Sequence, residues 1–323
     1  MKAIALISGG LDSMLAARLI KEQGIDVIGL KFKIPFSGNT NQNFADSGID
    51  IREVDIGGDF LKMLENPRYG YGVNMNPCID CKIMMLNKAR ELMGQYDAKF
   101  IITGEVLGQR PMSQNKEALA TIVKRAGLEG LVLRPLSAQL LAETVPEREG
   151  WIKRRDLLNF SGRGRRQQIK LAQDFGIKEY AQPAGGCLLT DPEFSKRLKE
   201  IIVHKELTLS NIELLKVGRH FRISPNAKLI VGRNEKENEK LVSLAGKDDY
   251  LFFPCADLAG PTSLGRGEFN KELIALSCAI TCRYCDLNGN LDAEIVYRRI
   301  PEKENKALRT SPITELELLK VRI

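Results

Sequence analysis

The chain has 323 residues, enough for two domains with separate hydrophobic cores. Hydrophobic residues make up 43% of it without any run long enough to span a bilayer, which excludes an integral helical membrane protein. A net charge of +7 permits a polyanionic partner, and an odd count of seven cysteines argues against a secreted disulfide framework.

In chain order, Ala3–Ile7 reads as a buried strand that runs into Ser8-Gly9-Gly10-Leu11-Asp12-Ser13. A strand starting at residue 3 leaves no room for a secretory leader, so the expected compartment is the cytoplasm. Gly9 and Gly10 can turn successive backbone N–H groups toward one anion, and a helix spaced over Leu11–Gln23 would aim its free N-terminal amides at the same place. Ser8 and Ser13 add hydroxyls, and Asp12 could hold a magnesium ion on a phosphate. An ordinary capped strand–helix turn would look similar, so this loop needs support from elsewhere.

Strands at Val27–Phe32, Ile49–Asp55 and Phe100–Thr103, with a helix at Cys81–Tyr96, continue the alternation. The expected fold class is α/β, a doubly wound and mainly parallel sheet. Ligands in such sheets sit beyond the carboxyl ends of the strands. Ser8–Ser13 and Gly104–Gln109 both follow strands and are expected to line one crevice.

Cys78-Ile79-Asp80-Cys81 opens a helix, and Cys187 follows the pair Gly185-Gly186, more than a hundred residues on. Three thiols suit an iron–sulfur cluster with one open iron, a reactive thiol pair, or plain structure. Between 153 and 170 seven basic residues (Lys153, Arg154, Arg155, Arg163, Arg165, Arg166 and Lys170) face one acid, Asp156. Gly162 and Gly164 interrupt this run and Trp151 and Phe160 flank it, a pattern that suits RNA, although a solvated helix face would also serve.

A second, smaller α+β domain is expected at 212–323, after a first domain at 1–205. From Lys216 the pattern changes to short strands, with a polar helix at Asn234–Leu244. Cys278, Cys282 and Cys285 share one face of a helix starting near Lys271 and are expected, with Cys255, to pack as small apolar groups.

With these pieces in place, Ser8–Ser13 resembles the PP-loop of the N-type ATP pyrophosphatases. Thr103–Gln109 with Ser113-Gln114, and Leu133–Leu136, resemble tRNA 4-thiouridine synthetases. Asn76-Pro77-Cys78, Cys81 and Cys187 are similar to the cysteine set of cluster-dependent tRNA thiolation enzymes. Val231–Asn234, Glu237-Asn238 and Gly260-Pro261 resemble the RNA-binding NFACT-R domain. The resemblance implies an ATP-dependent tRNA sulfurtransferase. Ser8, Gly9, Gly10, Asp12, Ser13, Gly104 and Gln109 would bind ATP, with Mg2+ on Asp12. Cys78, Cys81 and Cys187 would hold a [4Fe-4S] cluster, and Asp12 and these three thiols would carry the chemistry. The partners implied are tRNA and a sulfur donor, either sulfide or a cysteine desulfurase system; a homodimer is left open.

The tRNA-binding THUMP module of 4-thiouridine synthetases is not evident ahead of residue 8, nor is a rhodanese-like domain. RNA docking is therefore expected to fall to the basic segment and the second domain. Three rivals remain: a Cys187 persulfide without a cluster, resolved by Cys78 or Cys81; a PP-loop enzyme acting on a small molecule; and a non-catalytic RNA-binding factor.

Overall fold

The structure, a computed structural model, describes residues 1–37, 48–177, 180 and 187–323. The glycine pair before Cys187 lies outside the described residues. The chain divides into two compact units, Met1–Asp191 and Pro192–Ile323.

The first unit is the expected α/β sheet. Strands β1 (Lys2–Leu6), β2 (Asp26–Lys33), β3 (Asp50–Asp55), β4 (Ala98–Thr103) and β5 (Val132–Leu133) lie in the order β3-β2-β1-β4-β5. Every pairing is parallel. Residues of one strand feed both faces, as the two-residue period requires. Ala3 and Ala5 of β1 join one core cluster with Leu15 and Ala16, while Ile4 joins another with Leu30, Leu86 and Ile122.

Helices α1 (Leu11–Lys21), α2 (Gly57–Glu65), α3 (Cys78–Met93), α4 (Lys116–Arg125), α5 (Val145–Arg148) and α6 (Arg166–Asp174) complete this unit. The sequence reading does not contain α2 or α4. Gly162 and Gly164 are expected to interrupt the basic segment, and from Arg166 onward its end forms α6. Strand order reverses between β1 and β4, which makes the gap beyond their carboxyl ends the topological switch point.

The second unit holds α7 (Pro192–Val203), α8 (Leu209–Leu215), α9 (Glu235–Leu244), α10 (Lys271–Cys282) and α11 (Glu315–Val321). Its sheet comprises β6 (Arg219–Ser224), β7 (Ala227–Val231), β8 (Tyr250–Pro254), β9 (Ser263–Gly267), β10 (Ala293–Arg299) and β11 (Lys306–Thr310). They run antiparallel in the order β11-β10-β8-β9-β7-β6. The sequence places 192–205 at the end of the first domain, but α7 belongs to the second. Arg222 of β6 reaches back to Glu200 of α7 at 2.5 Å and to Glu206 at 2.8 Å. Cys278 and Cys282 are fully buried in this unit's core, as expected of small apolar groups. Among the described residues no helix is long and apolar enough to cross a membrane.

Candidate active site

The turn after β1 is built from its own hydroxyls. Gly9 takes the left-handed conformation at φ 83° that its lack of Cβ allows. Gly10 N–H donates to Ser8 Oγ at 3.3 Å, and Ser13 Oγ donates to the Gly10 carbonyl at 2.8 Å while accepting from Ser8 N–H at 3.2 Å. Ser13 is thus a buried brace that fixes the turn. Gly10 caps α1 without a side-chain bond, so the first amides of α1 are left to other acceptors.

The loop after β4 closes directly on this turn. A Cβ on Gly104 would lie 2.5 Å from the Asp12 carbonyl carbon and 2.6 Å from its oxygen, and closer still to the Ser13 nitrogen. Only glycine allows that approach. Further along the loop, Gln109 Nε2 donates to Asp12 Oδ2 at 3.1 Å. The other oxygen, Asp12 Oδ1, is buried with no hydrogen-bond partner. Burial raises the Asp12 carboxyl above its ordinary value, against the bond from Gln109 and the charges of Arg165 and Arg110. A desolvated carboxylate with one open oxygen is a good seat for a hard cation, so the residues present fit Mg2+.

The three thiols are brought to the same end of the sheet. Cys78 and Cys81 occupy the first turn of α3, and Cys187 forms a bridge with Ser37, just after β2. Burial pushes the Cys81 thiol up to about 12, and Cys187 and Cys78 add to the rise through their charge. Burial also raises Cys187, again with a contribution from Cys78, while Arg110 opposes it. Arg110 therefore acts on both Asp12 and Cys187, and it stands on the loop that carries Gln109. Among the described residues no group of three or more His, Cys, Asp or Glu could hold a single metal ion. A cluster makes a different demand, because each cysteine binds its own iron. Three thiols within charge reach of one another fit that donor set.

Glu105 and Arg134 lie within the two stretches that carry the resemblance, but the sequence reading gives neither a role. Glu105, next to Gly104, is buried with an ion pair on either side, Lys82 from α3 and Arg134 at 2.8 Å from the segment after β5. Thr103 Oγ1 donates to the same carboxylate at 3.1 Å. Burial alone would raise Glu105, but Lys82 and Arg134 overcome it and hold the carboxyl at about 2. An acid just past an apolar strand was the available signal, since such a position needs buried cations.

The basic segment separates into parts. Arg154 is committed within the fold, to Glu147 at 2.5 Å and to the Leu141 carbonyl at 2.9 Å. Phe160 is buried in the core cluster and half-buried Trp151 packs against it. Lys153, Arg155, Arg163, Arg166 and Lys170 are exposed, and half-buried Arg165 lies in charge reach of Asp12.

Fold and site together define an α/β unit with a glycine turn after its first strand and three gathered thiols, followed by an antiparallel-sheet unit. Residues 218–321 match the family described as the NFACT protein RNA binding domain. The chain is 35% identical over 120 residues to a tRNA-specific 2-thiouridylase of Clostridium tetani, covering 30% of this chain and 33% of that protein. It is 28% identical over 144 residues to a probable tRNA sulfurtransferase of Thermococcus kodakarensis, covering 42% of this chain and 36% of that protein. It thus spans about a third of the length of the curated relatives it matches. A solved 4-thiouridine synthetase–RNA complex with bound ATP aligns at a TM-score of 0.42 and 19% identity, over 67% of this chain and 52% of that one. That likeness is too loose to carry an argument. The resemblances drawn from the sequence, to PP-loop tRNA thiolation enzymes and to NFACT-R, are borne out by these relatives.

Proposed function

We propose that the protein is an ATP-dependent tRNA sulfurtransferase of the cytoplasm that replaces a uridine carbonyl oxygen with sulfur. The observation that carries this reading is the closure of the Gly104–Gln109 loop on the Ser8–Ser13 turn, with Cys187 returning to the chain just past β2 at the same end of the sheet. The Gly104–Gln114 resemblance favours 4-thiouridine over 2-thiouridine.

In this reading Ser8, Gly9, Gly10 and the first amides of α1 take the pyrophosphate end of ATP, with Ser13 keeping the turn in shape. Gln109 holds Asp12 Oδ2, and Asp12 would hold Mg2+ through its unpartnered Oδ1, where the ion would neutralise phosphate charge. The uridine carbonyl oxygen attacks the α-phosphorus, pyrophosphate leaves, and the adenylated oxygen becomes a leaving group. Sulfur then bonds to the ring carbon and AMP departs with that oxygen. Arg110, in charge reach of both Asp12 and Cys187, is placed to offset negative charge between the two halves. Cys78, Cys81 and Cys187 would hold a [4Fe-4S] cluster, which supplies an open iron for sulfide when bound. Exposed Lys153, Arg155, Arg163, Arg166 and Lys170, with the 218–321 domain, would hold the tRNA backbone.

The test is anaerobic incubation of cluster-reconstituted protein with unmodified tRNA, Mg2+, ATP and sulfide, followed by nucleoside mass spectrometry. A thiouridine that requires ATP supports the reading and names the ring carbon. Iron-loaded protein that gives none sets tRNA thiolation aside.

A further inference from the structure

The cysteine helix is preceded by a short, tightly tied loop whose purpose the thiols alone do not explain. Asn76 Nδ2 lies 3.3 Å from Cys78 Sγ and 3.8 Å from Met112 Sδ. The direction of that amide is fixed by its other end: Asn74 N–H donates to Asn76 Oδ1 at 3.3 Å, which leaves the NH2 group to face the sulfurs. The side chain is boxed in as well. Gly72 N–H donates to the Asn76 carbonyl at 3.0 Å, and a Cβ on Gly72 would meet Asn76 Nδ2 at 2.5 Å.

The loop is anchored at both ends. Asp80, buried on α3, accepts from the backbone of Arg68 at 3.1 Å and of Tyr69 at 2.9 Å. Asn74 Nδ2 donates to the Thr190 carbonyl at 2.7 Å, three residues past Cys187. Pro77 has no N–H to offer the neighbouring sulfur, and the Asn76 amide is the donor seen at Cys78 Sγ. Cys187 is served differently, by the backbone N–H of Leu189.

We propose that Asn76 is a positioning residue for the sulfur chemistry: its amide donates an N–H···S hydrogen bond to Cys78, orienting that sulfur and withdrawing charge from it. This rests on the proposed cluster reading, in which Cys78 is an iron ligand. Hydrogen bonds to ligand sulfurs stabilise the more negative, reduced form and so raise the reduction potential.

The experiment is a spectroscopically monitored reductive titration of the anaerobically reconstituted protein, with iron content measured in parallel. Asn76→Ala removes the donor. Asn76→Asp keeps the Oδ1 acceptor that the loop needs and replaces the donor with a charge. Met112→Leu removes only the neighbouring thioether. Both Asn76 variants should retain iron and shift to more negative potential, Asp further than Ala, while Met112→Leu stays at the wild-type value. Iron-loaded Asn76 variants that titrate with wild-type protein would overturn the proposal with the cluster reading intact. Wild-type protein that takes up no iron would remove the cluster reading, and this proposal with it. Iron loss in both Asn76 variants with an unchanged melting temperature would also overturn the proposal, which leaves the iron to the three thiols and gives Asn76 only the orientation and charge of one of them.

Discussion

Gly104→Ala is the most informative single substitution in the site. The added methyl would stand 2.5 Å from the Asp12 carbonyl carbon and 2.6 Å from its oxygen, where an ordinary contact needs at least about 3.4 Å. The obstacle is backbone at the start of α1, which cannot rotate away as a side chain would. The β4 loop and the α1 turn must therefore separate by about 1 Å, at an overpacking cost of about 1–3 kcal/mol. The same displacement would pull Gln109 from Asp12 and disturb the turn's amides, and a misplacement of that size costs about 100-fold in rate. Gly94→Ala is the matched control. Gly94 has helical backbone angles, and an added Cβ there meets nothing within 4 Å, so it should be neutral or slightly stabilising. Urea unfolding and ATP-binding calorimetry on both variants provide the readout. A Gly104→Ala protein with wild-type stability and ATP affinity would refute the close-approach argument.

Three further outcomes follow from the same geometry. Because burial raises the Asp12 carboxyl, its charge costs stability as pH rises through that value; Asp12→Asn should melt higher than wild type at neutral pH, lose the gain below the ordinary carboxylate value of about 3.9, and show no stabilisation by Mg2+ with ATP in thermal scans across pH. Arg134→Leu leaves buried Glu105 with Lys82 alone and should cost about 3–5 kcal/mol in denaturant midpoint. Arg163→Ala and Arg166→Ala should weaken tRNA binding and each flatten its log–log salt dependence by about 1, whereas Arg154→Ala should act on stability through its bond to Glu147, with the salt slope unchanged.

The sheet was legible because Ala3–Ile7, Val27–Phe32 and Phe100–Thr103 are short apolar runs closed by turn residues. Buried parallel strands write that pattern into sequence. The glycine turn was legible for the same local reason. What joins the site was not, since it depends on tertiary proximity. Gln109 is bonded to Asp12 across 97 positions, and Cys187 meets the α3 thiols only because the chain returns beside β2. The partners of Arg154, Trp151 and Phe160 were not legible in the basic run. Counting charges and aromatics cannot tell a cation paired with Glu147, or rings set in a core, from groups facing solvent. Glu105 stood in the Thr103–Gln109 stretch without a role, because its partners come from α3 and the segment after β5.

The central claim is that the ATP turn and the three thiols form one site with separable halves. Pyrophosphate release and thiouridine yield, measured in parallel on tRNA for wild type and Cys187→Ser, test it most directly. The account predicts that wild-type protein gives both, while Cys187→Ser still releases tRNA-dependent pyrophosphate but forms no thiouridine. Thiouridine from the Cys187→Ser protein would contradict it.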